Sequence, residues 1–310
     1  MHSTVFLFFI ALLASLFFTF TFVINRAISL DGGEWYWSAT LRFIYTLLFL
    51  AIGFIAFKGF TYFKTILKEY IDYFKFWTIT GTIGFGFFYS LICYAADYSP
   101  AWVVATCFQI SIIASLFVLA YFGQKLSKKV WFTTFVIFLG ITLVNLSHVD
   151  MDNLQALALG FIPLLISAFS YPVGNQLVWN EKNRRKDEKE NIAVMNNAFA
   201  KVFLMTLGSF PLWIILYFVN DPAPPTQAQY INVAVIALFS GIIATSLFLY
   251  ARSHANTSNK LIIIDATASV EVIFALFAEI IFLGLAFPNM LGLSGIMITI
   301  LGLFILTKSK

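Results

Sequence analysis

Two glutamates interrupt a strongly apolar stretch near the end of the chain. The segment from Ser269 to Gly284 reads SVEVIFALFAEIIFLG and contains Glu271 and Glu279. Such a run is typical of a helix that crosses a membrane, where an ionised carboxylate costs at least about 2.5–3.5 kcal/mol. A carboxyl group avoids that cost by staying protonated, or by lying beside water or a cation. A glutamate that gains and loses its proton on opposite sides of a membrane can therefore couple proton movement to another process.

The two glutamates fall on the same side of the predicted helix. At about 100° per residue, Glu271 and Glu279 share a face with small residues such as Ala275, whereas Phe277 and Ile281 lie on the bulky, apolar face. Small residues favour contact with other helices or a cavity, and bulky apolar residues favour lipid. Glu271 lies nearer the predicted midplane and is our preferred proton carrier, with Glu279 as a second candidate.

Arg42 and Lys201 are basic residues inside predicted membrane helices. Each lies about two turns from the end of its helix, so it can extend to the membrane surface or pair with an acid. The alternative for Glu271 is thus a hydrogen bond at a helix interface, or an ion pair with Lys201 or Arg42. Glu279 has a structural alternative, which includes pairing with Arg42. If either cation faces a cavity, an anionic or zwitterionic solute becomes a suitable ligand.

The composition places the chain in a bilayer. Apolar residues make up 60% of the 310 residues and charged residues 11%, against roughly 45–50% and 25% in soluble domains. The net charge of +4 gives no reason to expect a nucleic-acid partner. Cys93 and Cys107 both lie in apolar runs without metal-binding spacing, so we interpret them as small buried hydrophobic residues and expect no metal or cofactor.

Apolar runs predict an all-α integral membrane protein with ten transmembrane helices. The predicted spans are 4–26, 36–57, 76–97, 101–123, 130–147, 154–179, 193–219, 230–252, 260–284 and 289–307. Sixteen of the 19 lysines and arginines fall in or at the edges of the even-numbered loops or at the C-terminus, and Arg26 is the one basic residue at the opposite face. Basic loops stay on the cytoplasmic side, so both termini are predicted to be cytoplasmic.

The spans divide into two halves of five, 1–150 and 151–310. The run EKNRRKDEKE (181–190) is interpreted as a solvated linker between them; an anionic-lipid patch is the alternative, but the acidic and basic charges largely cancel. Because five is odd, two similar halves would enter the membrane from opposite sides, which predicts an inverted repeat. SATLRFIYTL (38–47) matches NAFAKVFLMT (197–206), and YSLICYA (89–95) matches TSLFLYA (245–251).

With these features the chain resembles the drug/metabolite transporter superfamily, in particular its ten-span EamA-like and multidrug-resistance-efflux branches. The residues that carry the resemblance are Leu41, Arg42 and Phe43 in the second span and ATASVEVIFALFAEIIFLG (266–284) in the ninth. The resemblance implies a 5+5 inverted repeat around a central cavity, with alternating access. The four-helix exporters of this superfamily carry their essential glutamate in the first span, and this chain has no acid in its first or sixth span. Their proton coupling therefore cannot be transferred residue by residue.

The resemblance also implies that the third, fourth and eighth spans flank the cavity. Besides Arg42 and Lys201, we therefore expect candidate substrate-binding residues among the polar and aromatic side chains of these spans and of the sixth. They are Tyr89, Tyr94, Trp102, Gln109, Asn175, Ser246 and Tyr250. Packing between helices is the alternative for each of them.

The expected function is secondary transport of a small organic solute across the cytoplasmic membrane, by export in exchange for protons at Glu271. The chain contains no G-x-x-x-x-G-K-[ST] sequence for ATP binding. One alternative is a translocase for a lipid-linked sugar or another amphiphile, with Arg42 and Lys201 on its phosphate. A membrane enzyme and a non-transporting scaffold or receptor are further alternatives; the chain lacks H-E-x-x-H and G-x-S-x-G. A monomer and a homodimer are equally compatible with the sequence.

Overall fold

The computed structural model describes residues 4–121, 128–148, 154–185, 194–254, 264, 267 and 270–307. Within these ranges every regular element is helical. In chain order the α-helices are α1 (Thr4–Leu30), α2 (Trp35–Lys58), α3 (Phe60–Asp72), α4 (Phe74–Gly81), α5 (Phe88–Tyr98), α6 (Ala101–Phe108), α7 (Ile110–Tyr121), α8 (Lys128–His148), α9 (Leu154–Arg184), α10 (Ala198–Gly208), α11 (Phe210–Asn220), α12 (Gln227–Ile236), α13 (Thr245–Ser253), α14 (Val270–Leu283) and α15 (Met290–Thr307).

Eight of these helices, or helices joined end to end, are long and apolar enough to cross a membrane. They correspond to the first eight predicted spans. The apolar helices α14 and α15 occupy the places of the ninth and tenth, and α14 is described over 14 residues. The prediction of an all-helical integral membrane protein is therefore confirmed.

Four of the spans change their helical geometry near the middle. The third joins α4 to α5 through a π-helical segment, Thr82–Phe87, and the eighth joins α12 to α13 through another, Ala237–Ala244. The fourth is interrupted between α6 and α7 at Gln109, and the seventh between α10 and α11 at Ser209. Pro211 explains the last break, because proline is accommodated in the first turn of a new helix. By contrast, α9 continues through Pro163 and Pro172 without an interruption of the helix.

Helix α3 lies between the second and third spans, where we had predicted only a loop. Its Ile66 and Glu69 are buried, whereas Lys64 and Lys68 are exposed. The helix is therefore amphipathic, with its apolar side toward the protein. It packs against α2, α4 and α10, so it covers the ends of helices from both halves of the chain.

Glycines allow the third span to approach its neighbours closely. A side-chain carbon added to Gly84 would lie 2.9 Å from the Cα of Gly174 on α9, and one added to Gly81 would collide with the backbone of α10. At these glycines the third span thus lies against the backbones of α9 and α10. Small residues at such contacts let helices in a membrane gain dispersion energy from backbone-to-backbone packing.

Corresponding helices of the two halves make corresponding contacts with the opposite half. Helix α1 packs against the eighth span, and α9, at the corresponding place in the second half, packs against the third. In the same way α2 contacts α12, and α10 contacts α4. The π-helical segments lie at matching positions in the third and eighth spans. These pairings support the inverted repeat, which stays a prediction because no contact establishes the direction of each crossing.

Candidate functional site

Glu271 lies in the first turn of α14, inside the protein. Only 6% of its surface is exposed, and its neighbours Val272 and Ala275 belong to the main apolar core. Helix α14 packs here against α1 and α6. One turn before Glu271, the hydroxyl of Ser15 on α1 donates a hydrogen bond of 2.9 Å to the carbonyl oxygen of Thr267, which fixes the approach of the two segments.

The carboxyl group of Glu271 makes no hydrogen bond or ion pair within the part of the chain that the structure describes. The two helices packed against it, α1 and α6, carry only two titratable side chains in their described lengths, Arg26 and Cys107. Arg26 bonds to backbone carbonyls of α5, and Cys107 accepts a hydrogen bond from Asn145. Neither supplies a counter-charge to Glu271.

Glu279, two turns further along α14, has a defined structural partner. It is 1% exposed, and its two carboxylate oxygens accept hydrogen bonds from the backbone N–H groups of Ala101 and Trp102, at 2.8 and 3.1 Å. These N–H groups open α6, whose first turn has no intrahelical acceptors for them. The negative charge also complements the positive end of the helix dipole. The contact supports the structural alternative for Glu279.

A second polar group lies between the first, second, third and eighth spans; we call it the Arg42 cluster, comprising Thr21, Asn25, Arg42, Tyr89, Cys93 and Ser240. The guanidinium carbon of Arg42 lies 4.1 Å from the ring centre of Tyr89, which is 1% exposed. One Nη of Arg42 donates to the hydroxyl of Thr21 at 3.2 Å, and that hydroxyl is 2.6 Å from the hydroxyl of Ser240. Asn25 donates to the Tyr89 hydroxyl at 3.2 Å and to the Cys93 sulfur at 3.5 Å.

The ion pairs considered from sequence are absent from the described residues. Neither Arg42 nor Lys201 lies within salt-bridge distance of a carboxylate there, so the pairings with Glu271 and Glu279 were wrong for this structure. Lys201 is half-buried in the first turn of α10, close enough to Lys182 for their charges to interact. It lies outside the Arg42 cluster.

The other candidate residues are dispersed. Trp102 and Gln109 are buried in the fourth span, at its capped start and at its central break, and Ser246 is half-buried on α13. Tyr94 contacts Trp35 and the hydroxyl of Tyr98. The remaining two, Asn175 and Tyr250, are exposed, and Asn175 donates to a carbonyl of its own helix. The structure thus brings Arg42 and Tyr89 together and leaves the others apart from them.

A buried charged group outside the membrane spans was missed from sequence; we call it the Glu69–Arg185 cluster, comprising Glu69, Tyr73, Trp77, Glu181, Arg185 and Met195. Arg185 donates to both carboxylate oxygens of Glu69, at 2.7 and 3.3 Å, and the two side chains are 0% and 1% exposed. Arg185 also lies 3.8 Å above the ring of Tyr73, and the indole N–H of Trp77 donates to Glu69 at 3.1 Å. Burial acts to lower the pKa of Arg185, but hydrogen bonds and charge interactions with Glu69 and Tyr73 raise it overall.

The cluster corrects the interpretation of 181–190 as a solvated linker. Residues 181–184 complete α9, and Arg185 is buried in its ion pair with Glu69 of α3; residues 186–190 lie outside the described residues. A signal was present in the sequence. Glu69, Tyr73 and Trp77 are spaced by four residues, the spacing of one face of a continuous helix, although in the structure Tyr73 separates α3 from α4.

The cavity seen in the described part of the structure is elsewhere. It has a volume of about 370 Å³ and lies between the first π-helical segment and α9, with lining residues Ile83, Leu165, Ile166, Phe169, Ser170 and Val173. Its lining is almost entirely apolar and includes none of the predicted site residues. Among the described residues no group of three His, Cys, Asp or Glu side chains could hold a metal ion.

Comparison with known proteins gives one family over nearly the whole chain. Residues 6–310 match the family described as "EmrE: Putative multidrug resistance efflux transporter". The chain is 35% identical over 314 residues to "Uncharacterized protein YjlA" of Bacillus subtilis (strain 168), covering 96% of this chain and 93% of that protein. It is 30% identical over 258 residues to "Uncharacterized 42.1 kDa protein in intracellular alkaline protease 3'region" of Shouchella clausii. That alignment covers 79% of this chain and 64% of the Shouchella protein, so the chain spans less than two thirds of it.

Proposed function

We propose, because the chain belongs to the EmrE-like multidrug resistance efflux transporter family, that it exports a small organic solute in exchange for protons carried by Glu271. Membership of this family makes the chain a small-molecule transporter of the membrane and not an enzyme. The direction of transport, the proton coupling and the residue that carries the proton are the parts that we add. Their support is the environment of Glu271.

The observation that carries the proposal is the buried carboxyl group of Glu271, which has no hydrogen-bond or ion-pair partner among the described residues. A structural acid in a membrane is normally held by hydrogen bonds or a cation, as Glu279 is by the start of α6. Glu271 has neither among the described residues, so nothing there stabilises its ionised form. It is therefore neutral in the closed arrangement of the helices, and it releases its proton only when water reaches it. If water reaches Glu271 first from one side of the membrane and then from the other, its carboxyl group carries a proton across.

Two structural features support alternating access. First, the third, fourth, seventh and eighth spans are broken or loosened near their middles, and discontinuous helices are typical of the central sites of secondary transporters. Second, the halves differ in internal packing. Helix α2 packs against α5, whereas within the described residues the seventh span makes no comparable contact with the eighth. Different arrangements of two related halves are what rocking of one repeat against the other requires.

The cellular arrangement follows from the same premise. We propose that the protein lies in the cytoplasmic membrane with both termini in the cytoplasm, since the basic residues outside the spans are on that side. Reporter fusions at the two ends, one active only in the cytoplasm and one only outside it, test this placement. Activity of the external reporter at either end would contradict it.

The translocase alternative receives less support. A lipid-linked substrate would need an opening from the lipid to the polar interior. The apolar cavity between the first π-helical segment and α9 does not include any member of the Arg42 cluster. Comparison of water-soluble solute uptake with the scrambling of a fluorescent phospholipid in the same liposomes separates the two functions.

Proton exchange can be tested in liposomes that enclose a pH-sensitive dye, with the membrane potential clamped by potassium and valinomycin. A panel of small amines, carboxylates and neutral drugs is added outside, and liposomes without protein correct for direct permeation. We expect at least one solute to raise the internal pH with the wild-type protein, and Glu271→Gln to abolish the effect. Glu279→Gln is the matched control, because its amide oxygen still accepts a hydrogen bond at the start of α6. Undiminished proton movement in the Glu271→Gln variant, or none with the wild type, contradicts the proposal.

A further inference from the structure

The Arg42 cluster has hydrogen-bonding capacity that its protein neighbours leave unused. A guanidinium carries five N–H donors in one plane. One Nη of Arg42 donates to the hydroxyl of Thr21 and the guanidinium lies over the ring of Tyr89, but no carboxylate lies within salt-bridge distance of it among the described residues. Asn25, in the same cluster, is 3% exposed and has a buried side-chain oxygen without a hydrogen bond, an acceptor that needs a donor such as water and not a carboxylate. Buried polar groups are normally satisfied, so this incomplete cluster lacks a partner.

A negatively charged group is the partner that best compensates the half-buried Arg42. Arginine within a membrane costs about 2.5–3.5 kcal/mol on insertion scales unless its charge is compensated. The two glutamates of the membrane interior do not compensate it, because Glu279 binds the start of α6 and Glu271 makes no ion pair in the described structure. The ring of Tyr89 contributes a cation–π contact, which is weaker than an ion pair.

The geometry of the stack defines which anion fits. The guanidinium carbon of Arg42 lies 4.1 Å over the ring centre of Tyr89, and one of its five N–H groups is used by Thr21. In-plane N–H groups form paired, parallel hydrogen bonds with a carboxylate. Around the cluster, Phe43 lies 5.6 Å from Tyr89 and 5.4 Å from Trp213, ring centre to ring centre. These aromatic side chains favour an apolar body on the ligand.

We propose that the Arg42 cluster binds the carboxylate of the transported solute, so that the substrates are organic acids with an apolar body. This rests on the proposed function, since it assigns the substrate class to the same transporter. Arg42 and Glu271 then have separate tasks: Arg42 recognises the negative group, and Glu271 exchanges the proton. Because the two residues lie on different helices that both contact α1, solute binding and protonation act on the same central helix.

The test compares matched acids and amides as ligands of the purified full-length protein in detergent. The probes are phenylacetate with phenylacetamide and indole-3-acetate with indole-3-acetamide, and the readout is the thermal unfolding midpoint, which a ligand of the folded form raises. We expect each acid to stabilise the wild type more than its amide. In Arg42→Gln this preference is lost, and in Arg42→Lys it is reduced, because lysine keeps the charge but not the paired geometry.

Two further variants make the outcome specific. Lys201→Gln removes another half-buried cation of the spans and should keep the preference for acids; loss of the preference there would assign the carboxylate to Lys201 and overturn the proposal. A wild type that does not distinguish any acid from its amide also overturns it. The binding assay uses no proton gradient and therefore tests Arg42 independently of Glu271. If the acids bind through Arg42 but Glu271→Gln leaves proton exchange intact, only the proposed function fails. If Glu271→Gln abolishes proton exchange but the acids do not bind through Arg42, only the substrate proposal fails. The failure of one proposal is thus distinguishable from the failure of the other.

Discussion

The Glu69–Arg185 cluster and the Arg42 cluster each place an arginine against a tyrosine ring, but among the described residues only the first supplies a carboxylate. Arg185 has both oxygens of Glu69 within 3.3 Å and is capped by Tyr73. Arg42 has one hydroxyl at 3.2 Å and the Tyr89 ring. The same contrast holds for the acids: Glu69 and Glu279 have donors, and Glu271 has none in the described structure.

This difference separates charges that hold the fold from charges that are left for ligands. A buried ion pair with complete hydrogen bonds is expensive to break, because the remaining charge would be left without compensation. An unpaired charge is expensive to keep, and a protein retains it where a proton or solute completes it during function. Stability measurements on variants of the two regions can therefore test the assignment, from the largest expected loss to the smallest.

The largest loss is expected for Arg185→Ala. Removal of one partner leaves Glu69 buried and charged, so the free energy of unfolding should fall by about 3–5 kcal/mol. The neighbouring Arg184→Ala is the matched control, because the Arg184 side chain is 65% exposed in its contact with Glu181. An exposed pair of this kind contributes about 0–1 kcal/mol. Unfolding in mixed detergent micelles, followed by intrinsic fluorescence, measures both.

A double-mutant cycle sharpens this prediction. Glu69→Ala with Arg185→Ala should cost clearly less than the sum of the single changes, because the second substitution removes the charge that the first left unpaired. Additive losses would show that the two side chains stabilise the protein independently. The contrast with the Arg42 cluster would then lose its basis.

Glu279→Ala is expected to have the next largest effect. The substitution leaves the N–H groups of Ala101 and Trp102 without acceptors in a buried place, which costs about 1–3 kcal/mol. Glu279→Gln should lose less, because its oxygen can still accept one of the two bonds. If Glu279→Ala unfolds like the wild type, the capping contact is not structural and Glu279 becomes a candidate for proton exchange again.

The sequence predicted the parts of this molecule that depend on local pattern. Apolar runs predicted the helices of the membrane, and the small face of the ninth span predicted that Glu271 and Glu279 are buried while Phe277 and Ile281 are exposed. Helical periodicity and amino-acid composition are sufficient for such predictions, because in a membrane helix bulky apolar residues face the lipid and small or polar residues face the protein.

The partners could not be predicted in the same way. Glu69 and Arg185 are 116 residues apart, and Glu279 and Ala101 are 178 apart. The charged run 181–190 has the local pattern of a solvated segment, and only the docking of α3 buries Arg185. Tertiary packing thus determined which charges are paired. The pairs that it formed differ from those that charge complementarity alone suggested for Arg42 and Lys201.

A smaller effect is expected where α3 touches the second half. Tyr62 accepts a hydrogen bond of 3.0 Å from the side chain of Asn197, which also caps the start of α10. Tyr62→Phe removes only the hydroxyl, so the free energy of unfolding should fall by about 0.5–1.5 kcal/mol. Asn197→Ala removes the helix cap as well, so its free energy of unfolding should fall by a further amount of about 0.5–2 kcal/mol. Equal losses in the two variants would mean that the cap contributes nothing beyond the bond to Tyr62.

The smallest loss is expected for Glu271→Gln, although the same change should abolish proton exchange. The neutral amide has nearly the shape of a protonated carboxyl group, and the described structure gives Glu271 no bond to lose. The free energy of unfolding should therefore stay within about 1 kcal/mol of the wild type. A loss as large as that of Arg185→Ala would reveal a structural partner for Glu271 and place it with Glu69 among the charges that hold the fold. Unchanged stability together with lost transport would instead set Glu271 apart from every paired charge in the molecule.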